Sequence, residues 1–313
     1  MFRSLFRKLR LRRAYRKRLP DSRWAQIFQT SEIPLDAIGW DTQTRRPILL
    51  PFQLKLEAGK DDFVVRSFSS LLELNKVLPL SLRNQDGEII ISIGDVSLPV
   101  ETKQEILTII EVFLNGDYDI RVSSPCVVMD VGFNIGLTSL FLAKKENIER
   151  VFGFEPVGPT YQKGMKVLES NPGLAKKIEV TQVGLGEKEE VLEVPYSYEQ
   201  KGSVSTSHKV SLDGVGTTEK VQITPFTPKL EEIREAYPDH RIIAKIDCEG
   251  GEYGIFRDLE KSGKFSEIYA FMIEFHYEGT PFLTDLLHKN GFECVVFGDQ
   301  KELGMIYAWK KSS

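Results

Sequence analysis

Four clusters of acids and glycines along the chain are of types and spacings that do chemistry. The first is Val127-Val128-Met129-Asp130-Val131-Gly132-Phe133-Asn134-Ile135-Gly136, an apolar run ending in a carboxylate and followed by two glycines and an Asn. A helix-like segment, Leu137 to Lys145, comes next. In α/β proteins a strand, tight turn and helix start of this kind is where a nucleotide-like cofactor sits. Glycine there turns the backbone sharply and lets a ligand approach without meeting a Cβ. The second cluster, Phe152-Gly153-Phe154-Glu155-Pro156, sets a carboxylate 25 positions after Asp130, suited to accept from two ribose hydroxyls. The third, Ile242-Ile243-Ala244-Lys245-Ile246-Asp247-Cys248-Glu249-Gly250-Gly251-Glu252, ends a strand in acids. The fourth is Phe271-Met272-Ile273-Glu274-Phe275-His276, where strand alternation puts Glu274 and His276 on one side.

Two cofactor classes compete for the first cluster. A dinucleotide fingerprint is G-x-G-x-x-G directly after the strand. Here the pattern is D-x-G-x-N-x-G. The third glycine, near which a pyrophosphate would sit, is missing, and Asp130 would repel that pyrophosphate. A cationic sulfonium with an amino-acid tail tolerates the acid. An NAD-dependent oxidoreductase on a Rossmann-like sheet stays as the alternative, beside a methyltransferase-like binding protein without turnover.

The elements that must position these groups alternate from Cys126 onward. Strands are expected at 126–131, 150–155, 178–183, 242–247, 268–275, 293–297 and 304–309, and helices at 136–146, 159–170, 228–236, 252–261 and 280–289. Several strands are apolar throughout, as in a parallel sheet covered on both faces. The short link Gly298–Leu303 makes the last two an antiparallel hairpin at the sheet edge. In an open α/β sheet the ligand crevice lies beyond the carboxyl ends of the strands, so the four clusters converge on one edge. Residues 187–227 break the pattern with Gly, Ser and Thr, and read as an insertion able to cover a site. Upstream, Glu88–Leu98 reads as two short strands around Gly94-Asp95. Thr102 and Glu105 form a capping-box pattern opening a helix that closes near Asn115-Gly116. The expected division is a basic arm over 1–23, a small mixed α/β lobe over 24–120 and the catalytic domain over 121–313.

Composition is that of an ordinary globular protein: 313 residues, 41% hydrophobic and 27% charged. No stretch approaches the ~20 apolar residues of a membrane span. Three cysteines, Cys126, Cys248 and Cys294, each in or beside an apolar run, are expected as buried free thiols and fit a reducing, cytoplasmic setting. The net charge of −4 is uneven: residues 1–23 hold ten Lys or Arg and one acid, leaving −13 on the rest. Phe2, Leu5, Phe6 and Leu9 fall at helical spacing among those cations. Residues 1–19 are therefore expected to lie on an anionic surface, such as the inner face of a membrane. A solvated basic tail is the plainer alternative. No convincing stacking platform is present, so no nucleic-acid partner is expected.

Taken in order, Asp130-Val-Gly-Phe-Asn-Ile-Gly-Leu-Thr-Ser, Phe154-Glu155-Pro156, Lys245-Ile-Asp-Cys-Glu-Gly-Gly-Glu252 and Ile273-Glu-Phe-His276 resemble the FkbM family of S-adenosylmethionine-dependent methyltransferases. The resemblance covers about residues 115–310. It implies a class I methyltransferase fold: a Rossmann-like three-layer sandwich with a seven-stranded, mostly parallel sheet and an antiparallel last strand. It also implies S-adenosylmethionine as cofactor and O-methylation, often of a sugar or polyketide hydroxyl. By position, Asp130, Gly132, Asn134 and Gly136 would form the methionine-side loop, Glu155 would hold the ribose, and Gly184-Leu185-Gly186 would border the adenine. Phe133 departs from the small residue common in the first motif. Base N-methyltransferases of this fold carry an Asn/Asp-Pro-Pro-aromatic run where this chain has Asp247-Cys248-Glu249-Gly250.

Methyl transfer from a sulfonium is an in-line displacement helped by alignment in a dry pocket. A hydroxyl acceptor on a small molecule or glycan needs a base. His276 is the first candidate and Asp247 or Glu249 the second. Lys245 would pair with Glu274 or Asp247, or touch the substrate. No metal is expected, although Asp247, Glu249, Glu252 and Glu274 are ligands of the type Mg²⁺ takes.

Overall fold

The computed structural model describes residues 2–57, 59–196, 217–299 and 301–311, with side chains from residue 10 onward. The chain divides into two compact units, Met1–Asn115 and Gly116–Ser313.

The first unit runs α1 (Phe2–Arg18), α2 (Ser22–Thr30), β1 (Ile38–Asp41), β2 (Arg46–Leu49), β3 (Leu54–Lys55), α3 (Asp62–Arg66), α4 (Phe68–Val77), β4 (Leu80–Gln85), β5 (Glu88–Ile93), β6 (Val96–Val100) and α5 (Lys103–Ile109). Two small antiparallel sheets, β1-β2-β3 and β4-β5-β6, result. The strands expected around Gly94-Asp95 are β5 and β6. The capping box forms as read: Glu105 N–H donates to Thr102 Oγ1 and Thr102 N–H to Glu105 Oε2, both at 3.2 Å. The basic segment is no free tail over its second half. Tyr15 and Leu19 are buried, and the Tyr15 hydroxyl donates to the Ile33 carbonyl at 2.6 Å. The side chains of Phe2, Leu5, Phe6 and Leu9 lie outside the described residues.

In the second unit the chain runs β7 (Cys126–Val131), α6 (Leu137–Ala143), β8 (Ile148–Phe154), α7 (Gly158–Glu169), α8 (Pro172–Ala175), β9 (Ile178–Thr181), β10 (Gly184–Gly186), β11 (Glu190–Tyr196), β12 (Thr217–Pro225), α9 (Phe226–Ala236), β13 (Arg241–Ile246), α10 (Glu252–Ser262), β14 (Ile268–His276), α11 (Pro281–Lys289), β15 (Phe292–Asp299) and β16 (Leu303–Lys310). Seven strands form one sheet in the order β15-β16-β14-β13-β7-β8-β9. The five from β14 to β9 are parallel, and β16 runs antiparallel between β14 and β15. This is the class I methyltransferase architecture, with the expected hairpin at the edge. Central strands are apolar because both faces are covered: all six residues of β7 are buried, as are Ile242–Ile246 of β13. Phe256, Phe265, Phe271 and Phe292 interlock on one side of the sheet, Phe271 and Phe292 with centroids 5.2 Å apart.

Two expectations are corrected here. Residues 187–227 are not irregular at their flanks: β11 and β12 pair antiparallel, and β12 also pairs parallel with β10. Alternating Glu, Lys and Thr along these strands hid them, since one face is wet. Residues 197–216, the core of the expected covering insertion, lie outside the described residues, as does His208. All three cysteines are free, but only Cys126 is buried; Cys248 and Cys294 are half-buried. Among the described residues no helix is long and apolar enough to cross a membrane.

Sheet order reverses between β7, which leads to β8 and β9, and β13, which leads to β14. The crevice at such a switch point opens at the strands' carboxyl ends.

Candidate functional site

Two backbone loops meet at that crevice. Gly132, just past β7, has φ +78°, and a Cβ on it would stand 1.7 Å from the Asp247 carbonyl oxygen past β13. Only glycine fits that approach. The Asp247 N–H in turn donates to the Val131 carbonyl at 3.0 Å. Among the described residues of this unit, the non-glycine residues with positive φ are Asn134, Glu249 and Tyr277. They sit past the ends of β7, β13 and β14. Backbone strain is thus concentrated where three strands present their tips, a recurrent feature of functional sites.

A cavity lies between these loops. Gly132, Asn134, Glu155, Asp247, Cys248 and Glu249 line its polar side, and Val131, Phe154, Pro156, Val157, Gly184, Leu185 and Ile223 its apolar side. The wall therefore carries three carboxyl groups and, among the described residues, no Lys or Arg. Glu155 is anchored by backbone donors, with Asn134 N–H on Oε2 and Val157 N–H on Oε1, each at 2.9 Å. Burial pushes its carboxyl up to about 7, against those two hydrogen bonds.

Asp130 and Gly136, assigned from sequence to the cofactor loop, stand behind this wall. Asp130 is fully buried, accepts from Ser139 Oγ at 2.6 Å, and faces Lys245 Nζ at 3.1 Å, an ion-pair distance without hydrogen-bond alignment. Gly136 starts α6 with φ +82°. Phe133 points away from the cavity into a slot made by three glycines. A Cβ on Gly136, Gly153 or Gly164 would come within 2.5–2.6 Å of its ring. The departure from a small residue is thus matched by glycines elsewhere.

Next to the cavity the tips of β13 and β14 form a titratable cluster. Lys245 is buried and donates to the Gly132 carbonyl at 2.6 Å, with Asp247 Oδ2 at 3.5 Å. Burial alone would lower its pKa, but Asp130 and Asp247 outweigh that and raise it. Its main partner is Asp130 rather than Glu274, and it is sealed from any substrate. Tyr118, which sequence reasoning missed, places its hydroxyl 2.8 Å from Glu274 Oε2 and 3.0 Å from Asp247 Oδ2. One hydroxyl carries one proton, so the second carboxyl needs a proton of its own. Glu274, pushed up to about 7 by burial and by Asp247, is the group that can hold it.

His276 sits in the same cluster. Its Nδ1 is 3.1 Å from Glu252 Oε1, and its Nε2 is 3.8 Å from Glu249 and 3.9 Å from Glu274. Burial would lower its pKa, yet the Glu252 hydrogen bond and the carboxylates of Glu252, Asp247 and Glu249 raise it to about 9. At neutral pH it is an imidazolium, which has no lone pair to accept a proton. Burial pushes the carboxyl of Glu249, the second candidate, up to about 7 against the pull of His276. Among the described residues no group of three His, Cys, Asp or Glu is arranged to hold a metal ion.

Residues 130–294 match the Methyltransferase FkbM domain, more than half of the chain. The chain belongs to the FkbM methyltransferase family. A stretch of 83 residues is 39% identical to the AMB antimetabolite synthetase AmbE of Pseudomonas aeruginosa, covering 25% of this chain and 4% of that protein's length. Among solved structures, an FkbM methyltransferase from Methylobacillus flagellatus KT aligns at 14% identity over 78% of this chain and 59% of that one, with a TM-score of 0.39. Streptococcus pneumoniae Sp1610, crystallised with S-adenosyl-L-methionine, aligns at 17% identity over 61% and 69%, with a TM-score of 0.37. The tRNA methyltransferase TrmK of B. subtilis aligns at 12% identity over 60% and 62%, with a TM-score of 0.34.

The methyl donor that FkbM membership implies fits this cavity. A wall of three carboxyls without a cation suits a sulfonium and an α-ammonium and disfavours a pyrophosphate. Glu155 offers carboxylate lone pairs to a ribose diol, and Val157, Leu185 and Ile223 offer an apolar seat for a purine. The FkbM motifs pointed to Gly132, Asn134, Glu155, Gly184, Asp247 and Glu249, all on the wall. They did not point to Tyr118, Ile223 or Tyr277, which come from an interrupted turn, a half-wet strand and a loop without a motif.

Proposed function

We propose that this methyltransferase transfers a methyl group from S-adenosylmethionine to a hydroxyl of a small molecule, sugar or glycan. The observation that carries the reading is the placement of Glu249. It lines the cofactor cavity, stands 3.8 Å from a charged His276, and titrates near 7. That is the range in which a general base is effective at neutral pH.

When bound, S-adenosylmethionine supplies an electrophilic methyl on a cationic sulfur. The residues do the rest. Glu155 holds the cofactor's ribose end. Asp247 and Glu249 offer negative charge beside the sulfonium. Glu249 would take the acceptor's hydroxyl proton, leaving that oxygen free to accept the methyl group the cofactor would supply. His276, charged and locked by Glu252, steadies the Glu249 carboxylate. Glu274, with side-chain exposure of 33%, and Asp247, with 27%, are the hydrogen-bond acceptors left for further hydroxyls of the acceptor. Acceptors rich in donors, as polyols are, fit such a wall.

Extracts of cells with and without the gene, compared by mass spectrometry of glycans and small metabolites, test this. A species one CH₂ heavier only when the gene is present, with the methyl on oxygen, is the expected result. A methyl found on nitrogen or carbon would replace the reading.

A further inference from the structure

The basic helix α1 belongs to the first unit, and the site described above is built from residues of the second. Its described part has two sides. On one, Tyr15 is buried and hydrogen-bonded to Ile33, and Leu19 just beyond the helix is also buried. Around the rest of the helix Arg10, Arg12, Arg13, Arg16 and Lys17 are exposed, as is Leu11, one turn before Tyr15 on the same face. Leu11 is 46% exposed, and none of these cations pairs with a described carboxylate. Only Arg18 is tied down, through Nε to the Leu35 carbonyl at 3.2 Å.

As an isolated helix this is poorly built. It contains no acid. Arg10 and Arg13, Arg12 and Arg16, Arg13 and Arg16, and Arg13 and Lys17 are like charges three or four apart, and each such pair destabilises a helix. Arg16, Lys17 and Arg18 in the last turn offset the helix dipole, but Arg10, Arg12 and Arg13 have no such role. The mid-helix cations are unfavourable unless negative charge comes from outside.

We propose that the exposed face of α1 docks this chain on an anionic phospholipid bilayer. Charge complementarity selects an anionic partner, and two features select a surface over a nucleic acid. The rest of the chain carries −13, so a polyanion wrapping further than the helix would be repelled, whereas a flat surface need touch only the helix. Tyr15, an aromatic of the helix that could stack on bases, is buried instead. The helix sequence also intersperses Phe2, Leu5, Phe6, Leu9 and Leu11 among its cations, as interfacial helices do.

The test uses the full chain and co-sedimentation with phosphatidylcholine vesicles, with and without phosphatidylserine. The wild type sediments only with the phosphatidylserine-containing vesicles, and less as salt is raised. Each cation near such a surface is worth roughly five-fold in partitioning. The combined variant Arg10→Gln, Arg12→Gln, Arg13→Gln, Lys17→Gln, which keeps good helix formers, loses roughly a hundred-fold or more of the binding. Circular dichroism of the variant matches the wild type in solution. Failure of the wild type to sediment, undiminished binding by the variant, or displacement by an equal mass of duplex RNA overturns the proposal.

Discussion

His276 Nδ1 lies 3.1 Å from Oε1 of Glu252, a carboxylate with no solvent exposure. The contact helps raise the pKa of the residue that looks most like a base, so that it favours the charged form. Glu252 opens α10 and also accepts from the Cys248 N–H at 3.0 Å, so the same carboxylate fixes the loop that carries Asp247 and Glu249. One helix start thus holds both His276 and the loop that carries Asp247 and Glu249.

A pH dependence of stability follows. The folded pKa of His276, about 9, is above its ordinary 6.5, so its contribution is complete below about 6.5 and is lost as pH rises through 9. The raised carboxyls of Glu155, Glu249 and Glu274 also lower stability with rising pH, but only up to about 7. The window between about 7 and 9 therefore isolates the histidine. Thermal melts should fall across that window in the wild type and fall less steeply in His276→Gln.

Glu249→Gln removes the base while keeping size and most hydrogen bonding. Turnover should drop about 10²–10⁴-fold, the usual weight of general base catalysis. Calorimetry with S-adenosylhomocysteine, which lacks the sulfonium charge, should show affinity close to wild type. In the wild type, kcat should rise with pH through about 7 and then level.

Tyr118→Phe deletes the hydroxyl shared by Asp247 and Glu274. Asp247 and Glu274 keep side-chain exposures of 27% and 33%, so water can replace the hydroxyl and the cost should stay below the roughly 1–3 kcal/mol of a buried group. Glu274 loses a hydrogen bond that holds its pKa down, so its titration, followed by ¹³C NMR of labelled glutamate carboxyls, should move up. An unmoved Glu274 would reduce Tyr118 to packing.

Phe133→Ala should destabilise the fold by about 3–5 kcal/mol, as large-to-small core changes do. The ring is 1% exposed and fills the slot between Gly136, Gly153 and Gly164. Gly164→Ala should also destabilise in the wild type, since the new methyl would meet the ring at 2.5 Å. Combined with Phe133→Ala most of that added cost should go, leaving the 3.0 Å approach to the Asn134 carbonyl oxygen, which chemical denaturation of the four chains in the cycle would measure.

Periodicity and turn chemistry carried most of the second unit. Fully buried strands such as β7 and β13 announce themselves as continuous apolar runs, and positive-φ turns at Gly132 and Gly136 as glycines. The strands β11 and β12 were lost because polar residues alternate along them and Pro195 interrupts one. At the site, motif spacing reached the cavity wall but not its protonation. That His276 is charged depends on Glu252 and Glu249, distant in sequence from it and brought close only by folding. Tyr118 was invisible for the same reason, lying 129 positions from Asp247. Asp130 read as a cofactor contact because its strand end is the right place; its partner Lys245 is on the neighbouring strand, opposite it in register.

The most direct test of the cofactor cavity is isothermal titration calorimetry of the chain with S-adenosylmethionine and, separately, with NAD. One-site binding of S-adenosylmethionine, no response to NAD, and roughly tenfold or greater weakening in Glu155→Ala are the predicted results. Saturable NAD binding without a response to S-adenosylmethionine would contradict the assignment of this cavity.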